Sequence, residues 1–125
     1  MRNIVKTLRL ETMDYYKTHL SIINCLLPVK ITGKEIEVLA LYMHFSKSLE
    51  DDRFGTNTKK LICQTLGLSH QGMSNYIKSL TVKGFLKVNQ KKEITILPLL
   101  HPEANEQTYM LKLVNIEQFT PIIQL

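Results

Sequence analysis

The sequence predicts an α+β fold that is mostly helical and carries a small β hairpin. Apolar residues recur at three- and four-residue steps on both sides of Gly67, which is typical of two short amphipathic helices. After Gly84 the apolar period changes to two, which is typical of β-strands. A chain of 125 residues is long enough to bury a core. These observations favour one domain over two.

The predicted domain spans residues 1–125 and divides into three parts. Residues 32–98 form the core, residues 11–27 an extra N-terminal helix, and residues 99–125 a C-terminal extension.

The N-terminal helix, about 11–27, is predicted from apolar residues at helical spacing and ends before Pro28. Residues 3–10 before it read either as a short strand or as a lead-in to the helix. Tyr15, Ile22 and Leu26 lie beside the main apolar stripe, so this helix has more apolar surface than one buried face needs. The surplus could bury a homodimer contact or a helix of a partner protein.

The next helix begins at Thr32, where Glu35 three residues later completes a capping box. Its apolar face runs from Ile36 to Phe45, and the helix ends near Lys47. A loop follows, with a candidate short strand at residues 53–55.

Two further helices are predicted around Gly67. Thr58 is expected to cap the first, and Gly67 to end it in the left-handed conformation. Ser69 is expected to cap the second, and Gly84 to end it by the same device. The inward face of the second helix is predicted to be Met73, Tyr76 or Ile77, and Leu80. Two helices joined by a tight turn and packed on one core form a helix-turn-helix unit.

The segments after Gly84 are predicted to be strands. Residues 85–89 and 93–97 alternate apolar and polar side chains, with lysines between them at the tip of a hairpin. The run TYMLKLV, residues 108–114, also alternates and predicts a C-terminal strand.

The positive charge is concentrated in one segment. Residues 53–92 contain eight Lys and Arg and no Asp or Glu, so they carry +8, whereas the rest of the chain carries −3 of the net +5. A solvated lysine-rich surface is the simplest explanation. A long stretch without carboxylates beside acidic flanks is also what a surface that faces a polyanion requires.

The segment from about Thr58 to Leu97 resembles the winged helix-turn-helix superfamily of DNA-binding domains, which includes MarR-like and Crp-like regulators. The features that match are the helix KKLICQTL, the turn Gly67-Leu68-Ser69, the helix HQGMSNYIKSL and the KGFL step into two short strands. Cys63, Met73 and Ile77 occupy the small and aliphatic positions of the motif. The helix of residues 33–45 fits the preceding helix of the trihelical core.

The resemblance implies binding of double-stranded DNA, with a recognition helix at about 70–82 in the major groove and a wing at 85–97 on the DNA backbone. Gln and Asn side chains can pair with adenine edges, and the N-terminus of the preceding helix can hold phosphate. The candidate contacts are His70, Gln71, Ser74, Asn75 and Lys78 on the recognition helix, Thr58, Lys59 and Lys60 on the preceding helix, and Lys91 and Lys92 at the wing tip.

The expected function is a non-enzymatic DNA-binding protein, either a transcriptional regulator or a DNA-associated accessory factor. No nucleophile–base constellation and no phosphate-binding glycine loop is recognisable in the sequence, and no cofactor is expected. The scattered histidines predict no metal site, and the two cysteines are expected to be buried, reduced thiols. Without a membrane-span or signal-peptide pattern, a cytoplasmic protein is expected.

A second hypothesis is a protein-interaction or structural module that reuses the winged-helix fold, such as a phage or virion-associated protein. Such a module has no reason to keep residues 53–92 free of carboxylates, so the charge pattern favours DNA binding.

Overall fold

The computed structural model describes residues 3–46, 55–91 and 93–119, and these are mostly helical with one small antiparallel sheet. The elements in chain order are α1 (Thr12–Asn24), α2 (Gly33–Ser46), α3 (Thr56–Leu66), α4 (His70–Val82), β1 (Leu86–Val88), β2 (Ile94–Ile96), a 3₁₀ turn (Pro98–Leu100) and α5 (Ile116–Phe119). The predicted α+β class is confirmed.

Helix α1 ends at Asn24, three residues before the predicted end at Leu27. The Asn24 side chain pairs with the backbone of Ile31, accepting from its N–H at 2.7 Å and donating to its carbonyl at 2.9 Å. The Lys30 ammonium donates to the last helical carbonyls, those of Asn24 and Cys25. These contacts close the turn of residues 25–30 that contains Pro28, and the helix ends four residues before the proline.

One cluster of buried apolar residues joins all the larger elements. α1 packs against α2, and α2 contacts α3 and α4. The buried side chains include Leu20 of α1, Leu39 and Tyr42 of α2, and Leu80 of α4. The N-terminal helix therefore shares the core of the later helices.

The predicted capping box at the start of α2 is confirmed. The Glu35 N–H donates to Thr32 Oγ1 at 3.3 Å, and Glu35 Oε1 accepts from the Thr32 N–H at 2.8 Å.

The turn between α3 and α4 follows the prediction. Gly67 has φ of 66°, in the left-handed region, and Leu68 N–H donates to the Cys63 carbonyl at 2.9 Å. The Ser69 side chain caps α4 by accepting from the Gly72 N–H at 2.9 Å. A Cβ on residue 72 would approach the Ser69 oxygen to 3.2 Å, so glycine suits the first turn of α4.

The hairpin forms as predicted, though each strand is shorter than its predicted range. Gly84, with φ of 86°, turns the chain out of α4. Leu86 pairs with Ile96, Lys87 with Thr95 and Val88 with Ile94. Leu86, Ile94 and Ile96 are buried, whereas Lys87 and Thr95 are exposed on the opposite face.

The predicted C-terminal strand is wrong. Residues 108–114 adopt no regular secondary structure, and the described ranges contain strands only at β1 and β2. Residues 3–10 are also irregular. The candidate strand at 53–55 falls mostly outside the described residues, and Gly55 itself forms a bend.

Two hydrogen bonds hold the C-terminal segment against α1. Tyr15 donates its hydroxyl proton to the Ala104 carbonyl at 2.7 Å, and the Tyr109 hydroxyl is hydrogen-bonded to His19 Nδ1. The chain itself thus covers part of the apolar surface of α1 that the sequence assigned to a partner.

The cysteines are free thiols, as expected, but Cys25 is exposed rather than buried, and Cys63 is half-buried.

Candidate nucleic-acid interface

Helix α4 has one buried and one exposed side. Met73 and Leu80 are completely buried, and Tyr76 and Ile77 are half-buried against the core. Ser69 and Gly67 fix where the helix starts, and this packing fixes its rotation about its axis. The opposite side consequently points away from the core.

The exposed side carries hydrogen-bonding groups in one stripe. Gln71, Asn75 and Lys78 are exposed and lie at steps of four and three residues, so they share one helix face. His70 is exposed at the N-terminal edge of this face. Gln71 Nε2 donates to Asn75 Oδ1 at 3.0 Å, so the two amides already lie side by side.

The N-terminal part of α3 is joined to this stripe. Lys59 Nζ donates to Ser74 Oγ at 3.3 Å, and both side chains are half-buried. Lys60, the next residue, is exposed. The structure thus brings Lys59 and Ser74 together beside Gln71 and Asn75, where an ammonium group lies close to the polar stripe.

Thr58 does not belong to this group, and its prediction as a phosphate contact is wrong. Helix α3 starts at Thr56 with Gly55 at its N-cap, so Thr58 lies within the first turn. Its side chain is completely buried. A side chain inside the core cannot contact a phosphate.

The hairpin tip forms a separate part of the candidate interface. Lys91 is exposed in the turn between β1 and β2, where its N–H donates to Asn89 Oδ1 at 2.9 Å. Lys87 is exposed on the outer face of β1. Lys92, the other tip residue named from the sequence, lies outside the described residues.

One lysine of the basic segment has a structural partner that the sequence did not indicate. Lys83 Nζ lies 2.6 Å from Glu35 Oε1, and the Ser79 hydroxyl donates to Glu35 Oε2 at 2.7 Å. Burial alone would raise the pKa of Glu35, but the hydrogen bonds from Lys83, Thr32 and Ser79 hold it below its ordinary value. Lys83 therefore neutralises a buried carboxylate instead of adding to the outer charge.

Val82 is a further member of the exposed side that the sequence analysis missed. It lies seven residues after Asn75, on the same helix face, and 79% of it is exposed. Its position four residues after Lys78 in the helix could have indicated this.

The described residues contain neither a cluster of metal-ligating side chains nor a helix that could span a membrane. Residues 3–46, 55–91 and 93–119 contain no group of three or more His, Cys, Asp or Glu side chains that could hold a metal ion. Within the same ranges, every helix is too short or too polar to cross a bilayer.

Comparisons with protein-family models, curated proteins and solved structures found no match to this chain.

Proposed function

We propose that this protein is a non-enzymatic DNA-binding protein of the winged helix-turn-helix type that acts in the cytoplasm as a transcriptional regulator or a DNA-associated accessory factor. In this proposal α4 is the recognition helix and enters the major groove. The hairpin is the wing and contacts the DNA backbone.

The observation that carries the proposal is the outer side of α4. A helix of 13 residues is about 20 Å long, and the major groove of B-DNA is about 12 Å wide. Asn75 and Gln71 are exposed amides of the kind that pair with adenine edges. To pair bidentately, Asn75 must share or exchange its hydrogen bond from Gln71.

The surrounding lysines supply the electrostatic part. Lys78 lies in the stripe, Lys59 contacts Ser74 beside it, and Lys60 is exposed next to Lys59. No carboxylate occurs between residues 53 and 92. Lys91 at the hairpin tip can reach a neighbouring phosphate. Each lysine that neutralises a phosphate releases a counterion and so makes the affinity depend on salt.

A titration of the full chain against a fluorescent random duplex at several salt concentrations tests this proposal. With five phosphates neutralised, the logarithm of the affinity should fall against the logarithm of salt concentration with a slope of about −4.5. A slope near zero would contradict the proposal.

The alternative is a protein-interaction or structural module, including a phage or virion-associated one. It is favoured by the exposed apolar side chains of the two terminal segments, such as Val5 and Met110. A pull-down with the full chain that recovers a protein but no nucleic acid would favour the module over DNA binding.

A further inference from the structure

The segments near the two ends of the described chain expose large apolar side chains. We call residues 3–10 the N-terminal arm and residues 103–114 the C-terminal arm. Neither arm belongs to a helix or a sheet. The following arm side chains are between 50% and 95% exposed: Ile4, Val5, Leu8, Met110, Leu111, Leu113 and Val114.

The exposed apolar side chains form two groups, one in each arm. Exposed apolar side chains that are grouped together mark an interaction site.

Both arms lie next to α1. The N-terminal arm precedes Glu11, the N-cap of α1. The C-terminal arm is fixed to the same helix by the bonds from Tyr15 to Ala104 and between Tyr109 and His19. His19 Nε2 lies 3.1 Å from the Leu100 carbonyl oxygen, which can only accept a hydrogen bond, so Nε2 is the donor. In a neutral imidazole Nδ1 is then the acceptor, and it accepts the hydrogen bond from the Tyr109 hydroxyl.

We propose that the two arms bind a second copy of this chain and form a two-fold symmetric dimer in which the N-terminal arm of each copy lies against the C-terminal arm of the other. This proposal does not depend on DNA binding. It also differs from a dimer through the body of α1, because the arms supply the contact.

The charges of the arms support a second copy as the occupant. The N-terminal arm carries Lys6 and Arg9 and no carboxylate, so its charge is +2. The C-terminal arm carries Glu103 and Glu106 before its apolar part and Lys112 within it, so its charge is −1. All five side chains are exposed. A two-fold interface must be self-complementary, because the same surface of both copies takes part and every contact occurs twice. One chain that holds both a basic and an acidic arm fulfils this condition.

The apolar area is also sufficient for a dimer. At about 100 Å² for each buried side chain, the seven apolar side chains of each copy would together bury roughly 1400 Å², which is in the lower part of the range for stable interfaces. Backbone and polar atoms of the arms add to this area.

The first test measures the mass of the full chain by light scattering or sedimentation without DNA. The wild type should form a dimer with twice the monomer mass of 14.5 kDa. The double variant Leu111→Lys/Leu113→Lys should be a monomer that keeps the far-UV circular dichroism spectrum of the wild type, because both side chains are exposed in the single chain. A monomeric wild type, or an arm variant that stays dimeric, would overturn the proposal.

Two controls separate the arms from other apolar surface. Leu26 lies two residues beyond the end of α1 and Leu99 lies in the 3₁₀ turn, and these leucines are 82% and 69% exposed. Leu26→Lys and Leu99→Lys should both remain dimers. If Leu26→Lys gave a monomer, the contact would lie at the C-terminal end of α1 and the arm proposal would be wrong.

The second test uses the opposite charges of the arms. Lys6→Glu/Arg9→Glu makes both arms acidic, and Glu103→Lys/Glu106→Lys makes both arms basic. Each double variant alone should dimerise at least about fivefold more weakly than the wild type, since each contact then joins like charges. A mixture of the two should form heterodimers with about the affinity of the wild type. Equal weakness in the mixture would overturn the proposed pairing of the arms.

Discussion

The two sides of α4 differ in burial and in the contacts that their side chains make. The inner side carries Met73 and Leu80, which are completely buried, and Ser79, which contacts the carboxylate of Glu35. The outer side carries Gln71 and Asn75, whose side-chain amides are hydrogen-bonded to each other on the exposed surface. Stability and the proposed recognition are therefore separable within one helix.

The largest loss of stability is expected from Leu80→Ala. Leu80 is completely buried, so its truncation removes apolar contacts and leaves a cavity. The free energy of unfolding should fall by about 2–5 kcal/mol. Chemical denaturation measures it, with Val82→Ala as the control on the exposed side of the same helix. Val82→Ala should change stability by less than about 0.5 kcal/mol. Equal losses for the two variants would remove the distinction between the sides.

Asn75→Ala should have the opposite profile. The stability of the variant should stay within about 0.5 kcal/mol of the wild type, because Asn75 is exposed. Discrimination between DNA sequences should fall by about 1–3 kcal/mol, measured by competition between duplexes.

Lys60→Ala is the matched control for Asn75→Ala. It should weaken binding to all duplexes similarly and reduce the salt slope by about 0.9, because a phosphate contact reads no sequence. If Lys60→Ala changed sequence preference and Asn75→Ala did not, the proposed docking of α4 would be wrong.

Glu35→Gln tests the ion pair on the inner side of α4. The Glu35 side chain is 1% exposed and that of Lys83 is 21% exposed, so water screens the pair little. Removing the charge of Glu35 should lower the free energy of unfolding by about 1–3 kcal/mol. Glu37→Gln is the control, since its ion pair with Lys34 is more exposed and should contribute less than about 1 kcal/mol.

The same pair predicts a pH dependence. The folded-state pKa of Glu35 lies below its unfolded value of 4.5, so the contribution of the carboxylate is complete above pH 4.5. It is lost as the pH falls through the folded-state pKa, because the folded protein must then take up the proton. Denaturation at several pH values should show a smaller acid-induced loss in Glu35→Gln than in the wild type. An identical loss in both would show that Glu35 is not the group responsible.

Gly67→Ala is expected to lower the stability less than Leu80→Ala does. Gly67 has φ of 66°, and a side chain in this conformation costs about 1–2 kcal/mol even where space is open. Gly33→Ala is the control, because Gly33 has open space around its Cα and no positive φ. Thermal or chemical denaturation should show a loss for Gly67→Ala and none for Gly33→Ala. Equal stability of the two variants would contradict the conformational argument.

The parts of the fold that were predictable are those that depend on neighbouring residues. The caps at Thr32 and Ser69 and the turns at Gly67 and Gly84 follow from side-chain chemistry within four residues. The helical period likewise predicted which side of α4 is exposed. Interactions between residues close in sequence were therefore enough to predict the pair α3 and α4 and the exposure of most residues of the candidate interface.

The parts that were not predictable depend on distant partners. The contact of Lys83 with Glu35 joins residues 48 positions apart, and no spacing rule indicates it. Thr58 was misplaced because both Thr56 and Thr58 precede the apolar run, and packing against the core decides which one starts the helix.

The strand predicted at residues 108–114 failed for a related reason. Alternating apolar residues indicate a segment that can pair, but pairing also requires an available sheet edge. Within the described chain this segment does not pair with β1 or β2, the two strands of the sheet.

The most direct test of the central claim is a titration of the ¹⁵N-labelled chain with duplex DNA, followed by amide chemical shifts. The account predicts that the largest shifts fall at Lys59, Lys60, the first two turns of α4 and Lys91, and that the two arms shift little. Shifts concentrated in the arms, with α4 unaffected, would contradict it.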